Sequence, residues 1–145
     1  MNLKLFVDCK NRKLVTSKTN DSEVTLEGLF REDTVNLQIF PVQSTGVLTA
    51  PLEEVDITNI TLKAGVGERD GTLQAFNDVW TKDLTDMSYT GSLNVNTTEI
   101  NAELSATSAE VIEKWFELEF TEGTSITTVL QIKINITKDV IRATN

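Results

Sequence analysis

EKWFELEFTEGTSITTVLQIKINIT, residues 113–137, reads as two strands of strict alternation joined at a Thr-Glu-Gly-Thr turn. Alternate side chains of a strand point to opposite faces, so Phe116, Leu118 and Phe120 share one face while Trp115, Glu117 and Glu119 share the other. The second strand repeats the pattern, with Leu130, Ile132, Ile134 and Ile136 against Gln131, Lys133 and Asn135. A hairpin with one apolar and one polar face needs a second layer over its apolar side, which points to a β-sandwich.

The rest of the chain carries the same period of two. Leu3, Leu5 and Val7 alternate with Lys4, Phe6 and Asp8, and a turn at Lys10–Lys13 leads into Leu14–Ser17, which predicts an opening hairpin. Val35, Leu37 and Ile39 alternate with Asn36, Gln38 and Phe40, and Pro41 is expected to end that strand or mark an edge. Ile60, Leu62, Ala64 and Val66 predict another strand, closed by the Asp70-Gly71 turn, and Tyr89, Gly91, Leu93 and Val95 a further one. Helical spacing enters at Ile100 and Leu104, four apart, with Thr97 or Thr98 placed to cap a helix of about two turns. The expected fold is all-β: an antiparallel immunoglobulin-like β-sandwich of eight or so strands with one short helix, a single domain over residues 1–145.

This alternation leaves Trp115 on the water-facing side, beside two carboxylates. A strand slip or bulge would return it to the core, the helix near Thr98–Leu104 would cover it, or a protein partner would bury it. The expectation adopted is a protein contact anchored on Trp115, with Phe40 and Phe6, also in the outward phase of their strands, as further contact residues. A groove for sugar lined by Trp115, Trp80 and Tyr89 is the alternative. Trp80 is expected at the core margin, its indole N–H satisfied there.

Charge and residue usage exclude several other functions. With 22 acidic against 13 basic residues the net charge is -9, which repels phosphate backbones and anionic lipid surfaces, so neither nucleic acid nor membrane is an expected partner. The chain has no His, which removes Ser-His-Asp and Cys-His triads, the common zinc sites and the commonest general base. Gly65-Val66-Gly67 lacks the third glycine and following helix of a nucleotide loop and reads as a strand-end turn. Acidic residues gather at Glu53–Asp56, Glu68–Asp70 and Asp78–Asp86 without the spacing of a calcium loop, so no metal and no cofactor are expected. Paired-carboxylate hydrolysis has no visible signature, and no catalytic residue is assigned. The lone Cys9 reads as a structural thiol, and the Asn-x-Ser/Thr triplets at Asn20, Asn59, Asn96 and Asn135 as products of a Thr- and Asn-rich chain. No signal-like apolar segment precedes Asp8, so synthesis in a cytoplasm is expected.

The order of EDTVNLQIF (32–40), STG (44–46), ITNITLKAGVGERDGT (57–72), YTGSLNVNTTEINAEL (89–104) and FELEFTEGTSITTVLQIKINIT (116–137) resembles the amino-terminal β-sandwich modules of phage tail, baseplate and fibre proteins, the baseplate upper protein type among them. The resemblance implies a virion structural module, made in the host cytoplasm, that docks onto other virion proteins or its own copies. It implies no enzyme. Longer members continue into a coiled coil and a receptor-binding domain; none follows before Asn145, so direct receptor binding is not expected.

Overall fold

The structure, a computed structural model, describes residues 3–26, 34–108 and 110–137; Glu32 and Asp33 of the EDTVNLQIF stretch lie outside them. The described residues form ten strands and one helix: β1 (Leu3–Asp8), β2 (Lys13–Val15), β3 (Thr34–Ser44), β4 (Leu52–Glu54), β5 (Thr61–Gly67), β6 (Leu73–Asn77), β7 (Thr81–Asp83), β8 (Ser88–Asn94), α1 (Thr98–Ala106), β9 (Val111–Glu122) and β10 (Ser125–Thr137). Six strands build a first sheet in the order β2-β1-β3-β8-β7, with β4 pairing the far end of β3; β10-β9-β5-β6 build the second. Their apolar faces meet in one core, so the chain is the all-β sandwich that its alternation predicts.

The final hairpin forms in the expected phase. Ile112, Phe116, Leu118 and Phe120 of β9 are buried together with Leu130, Ile134 and Ile136 of β10, each side chain contributing about 1.5–3 kcal/mol by leaving water. Gly123 turns the chain with a positive φ of 61°. The helix is placed by Thr97, whose Oγ1 accepts a hydrogen bond from the Ile100 N–H, and by Ile100 and Leu104, which enter the core.

Two features depart from the sequence reading. All pairings among the described residues are antiparallel except one: β1 runs parallel to β3, with Leu3 opposite Leu37 and Asp8 opposite Val42. Pro41, expected to end its strand or mark an edge, sits buried inside β3, a strand with neighbours on both sides but none opposite Pro41 on the side of β8 and β4. Its carbonyl accepts from the Val55 N–H, so its missing N–H faces the same side, where β8 has stopped at Ile39 and β4 begins at Val42. A proline is tolerated there because no neighbouring strand asks for the donor.

Trp80 closes the seam between the sheets at β6 and β8. Its indole N–H donates to the Asn77 carbonyl at 2.8 Å, and its ring rests on Gly91, where a Cβ would stand 2.6 Å from Trp80 Cε3. The core margin is therefore where Trp80 belongs, as expected. Gly91→Ala should push the ring off this site and lower stability by about 1–2 kcal/mol, within the usual range for overpacking; urea unfolding measures it, and an unchanged midpoint would mean the ring moves freely.

Candidate interaction surface

Trp115 keeps the outward phase without interruption. It pairs with Lys133 on β10 and Gly67 on β5, and the register of β9 is continuous on both sides of it; the irregularity in the hairpin falls between Thr128 and Leu130 of β10. A bulge therefore does not return it to the core. The ring is half-buried, with the Arg69 guanidinium 5.5 Å from its centroid, a contact of roughly 0.5–1 kcal/mol at an exposed site. Gln131 Nε2 donates to the Arg69 carbonyl at 2.9 Å and ties that turn to β10. Gly67 makes the turn's close return available, since a Cβ there would lie 2.0 Å from the Thr72 carbonyl oxygen. This is the role of the Gly65-Val66-Gly67 stretch: hairpin geometry.

A groove of about 300 Å³ opens beside the ring, lined by Trp115 and Gln131–Lys133 on one side and by Arg12–Leu14 and Glu23–Leu26 on the other. It lies where the edges of the two sheets, β10 and β2, approach each other.

Phe6 and Phe40 sit elsewhere, on the outer side of the first sheet. They are register partners across β1 and β3, and their rings stack at 4.8 Å and 15° beside a small cluster of Val15, Val42 and Leu52. Lys18 lies over Phe40, its Nζ 5.1 Å from the ring centroid and held by Glu54 at 2.6 Å and the Asp86 carbonyl at 2.8 Å. Phe40 is consequently only 6% exposed. The outward phase read from the sequence is correct, but Lys18 covers Phe40, which a partner would first have to uncover, while Phe6 is only partly buried. The three aromatics considered for a sugar groove do not meet either: Tyr89 is fully buried, its hydroxyl donating to the Ile60 carbonyl at 2.8 Å, and Trp80 closes the opposite seam.

The acidic side chains mostly shape turns. Asp56 accepts from the Thr58 hydroxyl and N–H, Asp70 from the Thr72 N–H, Asp83 from the Thr85 and Asp86 N–H groups, and buried Asp8 from Lys10 and Asn11. Bonds from Thr58 and Thr72 hold Asp56 and Asp70 below the usual carboxylate value. Among the described residues no group of three or more His, Cys, Asp or Glu is gathered to hold a metal ion. Burial, with Asp8 adding to it, pushes the Cys9 thiol up to about 12 against an opposing backbone bond from Val42, which keeps it protonated and unreactive at neutral pH.

One polar cluster escapes the sequence reading. Lys114 occupies the inward phase of β9, is 1% exposed, and bonds Glu68 at 2.6 Å and Glu103 at 2.5 Å, joining the β5–β6 turn, α1 and β9. Its signal was a lysine in step with Ile112 and Phe116. Burial works against the ammonium, but the bonds from Glu103 and Glu68 prevail and raise its pKa above 10.5; the Lys114 bond, then that of Gln74, lowers Glu103 below its usual 4.5. The depressed carboxyl gives stability that is present above its ordinary pKa and lost as pH falls through the folded value; the raised amine gives stability present below 10.5 and lost as pH rises beyond it. Melting temperature should therefore be flat in this respect from about pH 5 to pH 10 and fall in acid, and the acid fall should shrink in Glu103→Gln. An acid limb unchanged in that variant would assign it to other carboxylates.

No protein-family model matches the chain, and no curated protein does.

Proposed function

We propose that this chain is a non-enzymatic assembly module of a phage or prophage particle, a sandwich that docks onto a larger virion protein or its own copies in the tail, baseplate, fibre or head. The observation that carries the reading is Trp115: a large aromatic in the unbroken outward phase of β9, flanked by carboxylates and set at the mouth of a groove. Such an anchor inside a polar rim is the usual anatomy of a protein contact. The absence of histidine and the use of acidic side chains as turn caps support a binding role over catalysis. The place of action is then the virion, after synthesis in the host cytoplasm. Gradient-purified particles from a culture carrying the gene should contain the chain in fixed proportion to the other particle proteins. Recovery only in the unassembled fraction would reject the proposal.

A second reading, a carbohydrate-binding module, draws on Phe76. It pairs with Gly65 and is 58% exposed, on the same outer face of the second sheet as Trp115. Two strand spacings and two residues separate them, about 12 Å between backbone positions. Retardation of the chain in polysaccharide gels that Phe76→Ala abolishes would favour this reading.

A further inference from the structure

The edge of the second sheet gives the Trp115 surface a partner chemistry. β10 is 13 residues long and, among the described residues, pairs with β9 alone, so along its other side alternate residues present backbone N–H and C=O groups outward. At Gln131–Lys133 that free edge forms one wall of the groove beside Trp115. The facing wall, Glu23–Leu26, is already tied to β2, where Val24 N–H donates to the Leu14 carbonyl and Glu23 bridges Val15. The slot between the two walls therefore offers ladder partners on the β10 side.

Its charge runs against that of the whole protein. Arg12, Lys13 and Lys133 line the groove against Glu23, and around its rim Arg69 stacks on Trp115, Glu113 lies 3.5 Å from Lys133 and Glu117 stands opposite Gln131. Three cations against one carboxylate line the groove, in a chain with 22 acidic and 13 basic residues.

We propose that this groove receives an extended acidic segment of a partner protein, which joins β10 as an added strand. The inference rests on the assembly reading above and specifies the occupant. An open backbone edge selects a strand over a helix, because a helix has already satisfied its own donors and acceptors. The cations select acidic side chains, and Trp115 takes an apolar residue in the alternate positions of the same strand.

Three labelled ten-residue peptides test it on the full chain: one alternating Glu and Val, one alternating Lys and Val, and the Glu-Val peptide methylated on alternate backbone nitrogens. The Glu-Val peptide should bind saturably and slow amide exchange within Leu130–Ile134. The Lys-Val and methylated peptides should bind at least tenfold more weakly, and the Lys13→Glu, Lys133→Glu double variant, which should keep the native far-ultraviolet spectrum and cooperative melting, should weaken Glu-Val binding at least tenfold. Failure of the Glu-Val peptide to bind, equal binding of the Glu and Lys peptides, or indifference to methylation would overturn the proposal. A peptide-free dimer with β10 amides already protected would overturn it too, by identifying a second copy as the occupant. If Trp115→Ala blocks entry into particles while no peptide binds, this inference fails and the assembly reading stands; if peptide binds but particle entry ignores Trp115→Ala, the reverse holds.

Discussion

The double variant Glu68→Gln, Glu103→Gln should lose about 2–4 kcal/mol of stability, whereas Lys114→Met should remain within about 1 kcal/mol of the native chain. Lys114 is 1% exposed, and its two partners are the counter-charges that make burial of the ammonium tolerable. Neutralising both leaves a cation among apolar side chains, facing amides that solvate it poorly. Fully buried pairs cost about 3–5 kcal/mol when one partner is removed, and the lower figure here reflects side chains of Glu68 and Glu103 that are 50% and 42% exposed, where water can reach the site. Exchanging the lysine for methionine keeps the stem in the core and leaves behind carboxylates that water can hydrate. Urea unfolding of the three proteins distinguishes the cases. Equal losses in both variants would show that the cluster is a net source of stability and not a buried charge merely compensated.

This cluster also marks the limit of what alternation discloses. The alternation that puts Trp115 outward also puts Lys114 inward, a consequence that the sequence reading did not draw. What the strand alone could not supply were the partners, Glu68 in a turn 46 positions earlier and Glu103 in α1. Local signals were dependable where neighbours in sequence are neighbours in space: the β9–β10 hairpin and the Asp70-Gly71 turn formed as read, and of the two threonines offered as a helix cap Thr97 takes the place. Non-local pairing was invisible. Nothing in Leu3–Asp8 announces a parallel partner in β3, and three-residue β4 is too short to carry a period. Pro41 was misread for the same reason, because whether a missing N–H matters depends on which strand stands opposite it.

The candidate surface divides along the same line. The outward position of Trp115 was legible, but its groove is assembled from Arg12–Leu14 and Glu23–Leu26 on one side and Gln131–Lys133, more than a hundred positions further on, on the other. Phe40 and Phe6 were read in the correct phase, yet Lys18, held by Glu54 and Asp86, covers Phe40 in a way that periodicity does not encode.

Trp115→Ala, followed by thermal melting and by particle incorporation side by side, bears most directly on the assembly account. A half-buried ring that stacks on Arg69 at the groove should cost about 1–2 kcal/mol when truncated, a shift of about 2–8 °C in melting temperature and less than a core aromatic costs. A central interface aromatic contributes about 2 kcal/mol or more to binding, so the amount of chain in purified particles should fall about thirtyfold at limiting concentration. The expected result is a variant that melts within that range of the native protein and is missing from particles. Loss of about 3–5 kcal/mol of fold stability would make Trp115 a core residue, and native-like incorporation would place the docking surface elsewhere; either outcome contradicts the account.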